Sequence, residues 1–249
     1  MTDHPITRMR HEIVRRRLAV REVEKLNPNM LRITLQGGEL AGFTSASPDD
    51  HIKLFVPSTA GEIERRDYTP RRYDAATGTL AIDFALHDGG PATLWAMQAK
   101  AGDAVEIAGP RGSTLVPWSF DWYLLIDDET ALPAIGRRIE EAPEGVKIIS
   151  LGAVAGPGEE QVFKTKAAHT AYWVNRPAAL ADDPEPVLAA LAEIQFPAGD
   201  GLVWVAAEAR VAKAVRAVIE VDRFHPRQWT KASGYWLKGE ADAHDKLGD

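Results

Sequence analysis

Near Pro117–Asp121 the chain changes texture, and that change constrains its fold more than any other feature. Before it, from Arg17 to about Arg111, apolar residues come in short runs bounded by turn signals. Arg17–Val23 and Met30–Leu35 flank a Leu-Asn-Pro-Asn turn, and Ile52–Val56 stops at Pro57. Leu80–Leu86 follows Ala-Thr-Gly-Thr, and Val105–Ala108 precedes Gly-Pro. Short strands at this spacing predict an antiparallel barrel or sandwich. One helix interrupts them over Pro91–Ala99, with Pro91 suited to a first turn. After Trp118 strands and helices alternate. Strands are expected at Trp122–Ile126, Val146–Leu151, Ala171–Val174, Leu202–Ala206 and Lys231–Leu237. Helices are expected at Leu132–Ala142, Pro186–Ile194 and Val211–Val221, each with one apolar face. That alternation implies a parallel sheet covered on both faces. The expectation is therefore a β domain over residues 8–118 and an α/β domain over 119–249.

Charge divides along the same line. Residues 1–118 carry 15 basic and 15 acidic side chains, whereas 119–249 carry 14 and 21, so the whole formal charge of −7 lies in the second half. Neither half is basic enough for a general nucleic-acid surface. No apolar run approaches the roughly 20 residues of a membrane span, and the N-terminus lacks the apolar stretch of a signal peptide. The expected location is cytoplasmic and the expected state a monomer. With no cysteine in 249 residues, disulfides, thiolate nucleophiles, zinc–thiolate sites and cysteine-ligated iron–sulfur clusters are excluded. No triad, carboxylate dyad or metal cluster stands out, so no catalytic or metal-ligating residue is assigned, and His4, His11 and His225 are left without a role.

Four motifs bear on function. In Arg66-Asp67-Tyr68-Thr69-Pro70-Arg71, an extended backbone puts Arg66, Tyr68 and Pro70 on one face. That face suits a planar ring on Tyr68 and an anion on Arg66; it equally suits a solvated edge strand whose Tyr packs on the barrel. In His87-Asp88-Gly89-Gly90-Pro91-Ala92-Thr93-Leu94-Trp95, a glycine turn feeds a helix start whose free N–H groups make either a pyrophosphate seat or an ordinary helix beginning. Gly109-Pro110-Arg111-Gly112-Ser113 is a turn with one cation. Asp127-Asp128-Glu129-Thr130-Ala131-Leu132-Pro133-Ala134 is a strand-to-helix junction, the place where α/β sheets bind ligands, but it carries three acids and no glycine fingerprint.

Taken in order, these motifs resemble the siderophore-interacting protein family, flavin-dependent ferric-siderophore reductases related to ferredoxin–NADP reductases. The likeness runs from about Val14 to Gly239. The family's Arg-x-Tyr-Thr-x-Arg is met by Arg66, Tyr68, Thr69 and Arg71, and its His with Gly-Pro-Ala-Ser/Thr-x-Trp by His87 and Gly90–Trp95. Its Gly-Pro-Arg-Gly-Ser turn falls at 109–113 and its Asp-Glu-Thr-Ala-Leu-Pro-Ala junction at 128–134. Trp173–Arg176, Ala207-Glu208-Ala209 and Gly234-Tyr235-Trp236 with Gly239 follow.

The resemblance implies a six-stranded flavin-binding barrel followed by an α/β domain for NADPH or NADH. It implies that Arg66 pairs with the phosphate of FAD, Tyr68 packs on its isoalloxazine ring, and Thr69 bonds its N5 edge. Gly90, Pro91, Ala92 and Thr93 would hold the pyrophosphate, with His87, Arg71, Arg111 and Ser113 nearby. Thr130, in the nicotinamide-side loop, and Glu208 would line the nicotinamide pocket, Trp236 would be a further cofactor-binding residue, and Arg176 would meet a 2′-phosphate. The substrate would be an anionic ferric siderophore held by Lys53 and Lys238, although Leu237 stands where the family has an arginine. The implied reaction passes electrons from NAD(P)H through FAD to Fe(III). A general flavin or ferric-chelate reductase on the same fold, or a non-catalytic carrier-binding protein, are the alternatives. Within this family, the absence of cysteine leaves the flavin type and excludes the iron–sulfur type of siderophore reductase.

Overall fold

A computed structural model describes residues 4–58, 61–86 and 90–239. His87 lies outside the described residues. The chain forms two compact units, Pro5–Val116 and the remainder from Pro117, which takes in His4. The sequence reading starts the first domain at residue 8; in the structure the first unit starts at Pro5, because His4 packs with the second. Its ring stacks on Phe120 at 3.9 Å and shares hydrogen bonds with Ser119 Oγ (2.7 Å) and Asp200 Oδ2 (3.3 Å).

The first unit is β-rich. It contains β1 (Thr7–Arg10), β2 (Arg15–Asn27), β3 (Met30–Gln36), β4 (Ile52–Pro57), β5 (Ile63–Tyr68), β6 (Arg72–Asp74), β7 (Thr79–Ala85), α1 (Pro91–Gln98), β8 (Ala104–Ala108) and β9 (Gly112–Leu115). Seven strands make one antiparallel sheet in the order β5-β4-β8-β2-β3-β7-β6. Its two end strands are consecutive in the chain, joined by Thr69, Pro70 and Arg71, so the sheet curls back on itself. The Arg71 N–H donates to the Ala81 carbonyl at 2.9 Å, extending the β6–β7 ladder into that joint. Seven strands stand where six were expected, the additional one being the three-residue β6. The inward residues fill the interior with Leu18, Ile33, Leu54, Leu80, Ile82, Phe84 and Ile107, closed at one end by Ala92 and Ala96 of α1. A separate ribbon pairs β1 with β9. Gly112 is required there, since a Cβ would stand 2.5 Å from the Met9 carbonyl oxygen.

The second unit contains β10 (Trp122–Asp128), α2 (Leu132–Glu140), β11 (Lys147–Val154), β12 (Ala168–Asn175), α3 (Glu185–Glu193), β13 (Gly201–Glu208), α4 (Ala209–Ala217) and β14 (Thr230–Trp236). All five strands are parallel, in the order β12-β11-β10-β13-β14. The first three strands step outward from β10 and the last two step out on its other side. The order therefore reverses between β10 and β13, and in such sheets ligands bind at the carboxyl ends of the strands at that point. Trp122, Leu124 and Ile126 pack with Val187 and Leu191 of α3 and Val211 and Val215 of α4. Alternation turns Tyr123, Leu125 and Asp127 to the opposite face. There Arg138 of α2 lies over the Tyr123 ring at 5.2 Å and over Trp118 at 3.5 Å. Burial pushes the Arg138 guanidinium down to about 10.

Candidate functional site

In the first unit the motif residues gather around the joint that closes the sheet. β5 pairs with β4 so that Tyr68 is opposite Ile52 and Arg66 opposite Leu54. Ile52 and Leu54 are core residues, so Arg66 and Tyr68 take the inward face. The Tyr68 ring leans on Phe84 at 4.4 Å, and Phe84 meets Trp95 of α1 at 5.8 Å. An aromatic series thus connects β5, β7 and α1. Burial drives the Tyr68 phenol well above its usual range, with Arg66 opposing in part, so the hydroxyl stays protonated. The Arg66 guanidinium donates to the Arg65 carbonyl at 3.0 Å and pairs with Glu64, two residues back on the same face. An anion at Arg66 must share it with Glu64. Thr69 is half-buried in the joint.

Arg71 is only 6% exposed and lies 3.5 Å from Asp83, which Arg32 already grips at 2.6 and 2.7 Å. Its place is in a buried ionic group that holds the joint to β7 and β3. Asp83, an acid inside the apolar run Leu80–Leu86, was the visible signal for that group.

The start of α1 is open. Its cap residue, Gly90, has no side chain, and Pro91 at the first position has no N–H. The first-turn amides of Ala92 and Thr93 have no helical acceptor. The Thr93 hydroxyl is buried, at 3% exposure, and among the described residues it has no hydrogen-bond partner. A buried donor with nothing to bond, beside unfilled amides, fits an anionic group such as a pyrophosphate.

Of two further expected contributors, one is committed elsewhere. Arg111 is exposed on its turn. Ser113 is buried, and its hydroxyl donates to Asp50 Oδ2 at 2.7 Å while accepting from the Ala46 N–H at 3.2 Å. His11 Nε2 is 2.8 Å from the Ser113 hydroxyl oxygen. Ser113 therefore knots the β1–β9 ribbon to the loop before β4, and its side chain has no capacity left for a cofactor. Lys53 of β4 donates to Asp67 at 2.8 Å. Both lie between inward-facing neighbours, so they take the face of the sheet opposite Arg66 and Tyr68.

In the second unit the expected nicotinamide residues form one hydrogen-bonded cluster at the sheet's reversal point, and its centre is Asp128. Asp128 Oδ1 accepts from the Thr130 N–H (2.9 Å) and hydroxyl (2.6 Å). Asp128 Oδ2 accepts from the Glu208 N–H and the Trp236 indole N–H, both at 2.8 Å. One carboxylate thereby ties together the ends of β10, β13 and β14. Glu208, fully buried, caps α4 by accepting from the Arg210 and Val211 amides at 2.6 and 3.3 Å. Its other oxygen accepts from the Lys238 N–H at 3.3 Å.

The neighbouring acids are handled separately. Glu129 takes both arms of Arg176, at 2.7 and 3.2 Å, and Arg176 is only 3% exposed. This corrects the expectation of a free cation for a 2′-phosphate: Arg176 is committed to Glu129. Burial first, then Asp128, raises the Glu129 carboxyl, and Arg176 offsets part of that. Asp127 is buried, neither of its oxygens is hydrogen-bonded among the described residues, and desolvation followed by the charges of Asp128 and Glu129 raises it far above the usual carboxylate range. Lys238 is bound by Asp182 Oδ1 at 2.5 Å and by the Ala179 carbonyl, fastening the 178–182 loop. Sequence reasoning placed Asp128 in the junction without seeing its hub role; three successive acids after an apolar strand were the available hint. Among the described residues, no group of three or more His, Asp or Glu is placed to hold a metal ion.

Comparisons with known proteins follow the two units. The family model of the siderophore-interacting protein matches residues 120–239, and that of the siderophore-interacting FAD-binding domain matches 19–65 and 62–114. An NADPH-dependent ferric-chelate reductase of Escherichia coli is 36% identical over 92% of this chain and 95% of its own. The ferric vibriobactin reductase ViuB of Vibrio cholerae is 30% identical over 86% of each chain. Among solved structures, a siderophore utilization protein from T. fusca superposes with a TM-score of 0.91 at 33% identity, covering 98% of this chain and 100% of that one.

Proposed function

This chain belongs to the siderophore-interacting protein family, and on that footing we propose that it is an FAD-dependent reductase using NADPH or NADH to reduce the Fe(III) of ferric siderophores. Iron(III) in its chelate is the substrate. FAD, when bound, supplies the exchange between a two-electron donor and a one-electron acceptor. The observation that carries the reading is the open start of α1, where Thr93 holds an orphaned hydroxyl beside uncapped amides.

The chain's own residues have limited tasks, and none is a proton donor or acceptor in the chemistry. Ala92 and Thr93 supply N–H and O–H donors to the pyrophosphate. Arg66 offers a guanidinium to phosphate, with Glu64 limiting its net charge. Tyr68 offers a neutral ring surface, steadied by Phe84. Arg71 acts through the joint it braces. Asp128, with Thr130, Glu208 and Trp236, fixes the strand ends at which the nicotinamide is held. Lys53 is the cation assigned to an anionic siderophore, which would share its ammonium with Asp67. Lys238 serves its loop instead. Among the described residues, no helix is long and apolar enough to cross a membrane, and we assign the enzyme to the cytoplasm.

The test is the visible spectrum of the purified protein. Flavin bands bleached by NADPH and restored by a ferric siderophore are expected. A colourless protein that takes up no added FAD would overturn the proposal. Turnover with free FMN or cytochrome but not with ferric chelates would point to a general flavin reductase.

A further inference from the structure

β12 is the outer strand of the parallel sheet, hydrogen-bonded on one side only, to β11. The even-numbered residues direct their backbone groups to β11, as the bonds from Ala168 N to Val146 O and from Arg176 N to Val154 O at its two ends show. The N–H and C=O groups of His169, Ala171, Trp173 and Asn175 therefore point away from the sheet. Among the described residues nothing bonds them.

Exposed edges of this kind are normally guarded by a charge, a proline or a bulge. β12 reads Ala-His-Thr-Ala-Tyr-Trp-Val-Asn, eight residues with no Lys, Arg, Asp, Glu or Pro, in unbroken register with β11. Its one imidazole, that of His169, bonds Ser150 at 2.8 Å and is held below the usual imidazole range by burial. The strand is also backed firmly. Trp173 lies over Gly152, where a Cβ would come within 2.4 Å of the indole. Tyr172 is 43% exposed on the other face.

We propose that the free edge of β12 pairs with β12 of a second copy, antiparallel about a two-fold axis at Tyr172. The geometry is self-complementary. With Tyr172 facing Tyr172, His169 falls opposite Asn175 and Ala171 opposite Trp173. All of these present outward backbone groups, so each such pair exchanges both its hydrogen bonds. The two tyrosines form a cross-strand aromatic pair. No like charges meet within the strands. A second copy suits this uncharged edge because the same patch on both partners satisfies a two-fold interface. The acidic excess of residues 119–249 opposes association at long range, so salt strengthens the pairing.

The test is the mass of the full chain in solution, by light scattering or sedimentation over a range of protein and salt concentrations. The native protein is expected to move from 27.2 kDa to twice that value as either concentration rises. Ala171→Pro removes an outward N–H without touching the β11 ladder, and Tyr172→Lys places like charges on the axis. Both are expected to remain at 27.2 kDa with native circular dichroism and native reductase activity. Mixing Tyr172→Lys with Tyr172→Glu is expected to restore the doubled mass, which only contact between the two 172 positions explains. A native protein that stays at 27.2 kDa throughout, or an Ala171→Pro variant that keeps the doubled mass, overturns the proposal.

Discussion

Replacing Asp128 with asparagine keeps the side chain's shape but removes its charge and half its acceptor capacity. The native carboxylate accepts four hydrogen bonds, two on each oxygen. An asparagine can keep one pair only. If its oxygen stays with Thr130, its amide N–H₂ faces the Glu208 N–H and the Trp236 indole N–H, donor against donor. If it flips, Thr130 loses instead. Two bonds to a charged acceptor are lost either way, each worth about 1.5–3 kcal/mol, so the cost is about 3–6 kcal/mol. For a unit of this size that lowers the midpoint of thermal unfolding by roughly 10–20 °C. Calorimetry with tryptophan fluorescence measures it, and the indole of Trp236 reports the loss of its own bond. The control is Asp127→Asn, one residue away and equally buried but without hydrogen bonds to lose. Flavin release reports the first unit and is expected to be unchanged at temperatures below the transition. A fall under about 3 °C for Asp128→Asn, or an equal fall for Asp127→Asn, refutes the assignment of Asp128 as the hub.

Three further outcomes are expected. Asp127→Asn stabilises the protein at neutral pH. In the native protein the folded state keeps a proton that the unfolded carboxyl loses near about 3.9, so stability declines as pH rises from there to the raised folded value. The variant's advantage should therefore grow with pH through that window and vanish below it, as denaturant unfolding across pH will measure. Thr93→Val keeps volume and removes the orphaned hydroxyl; flavin-free protein should gain about 1 kcal/mol, while FAD binding by fluorescence quenching weakens about 10-fold, or about 1.4 kcal/mol. Arg176→Ala leaves the half-buried Glu129 without its partner, costing about 1–3 kcal/mol in urea unfolding without changing the ratio of NADPH to NADH efficiency.

Patterns short enough to be local were legible in the sequence. The alternation in Ile52–Val56, the apolar faces of the helices and the change near Pro117 all report burial on a period, and burial is what the folded chain obeys. The start of α1 was legible because glycine and proline determine locally that no side chain caps it. Partnerships across long separations were not. Ser113 is bound to Asp50, 63 residues away, and Arg176 to Glu129, 47 away; in the sequence each is merely polar and available. Strand β1, Thr-Arg-Met-Arg, is exposed throughout and has no apolar alternation to betray it. In β2 the register shifts between Val20 and Glu22 and between Lys25 and Asn27, so its sequence pattern stops early while the strand continues to Asn27.

The three residues that join β5 to β6 carry a consequence for how this chain tolerates change in length. Side chains alternate along a strand with a period of two, so one added residue between Tyr68 and Arg72 turns every position of β6 to the other face. It would also carry Arg71 away from Asp83 and the Ala81 carbonyl. Insertions that surface turns accept readily, such as the exposed Ala75–Thr77 turn between β6 and β7, are thus barred from the segment that bears Tyr68, Thr69 and Arg71. Lengthening at 69–71 should open the sheet, and the same lengthening at 75–77 should leave it closed.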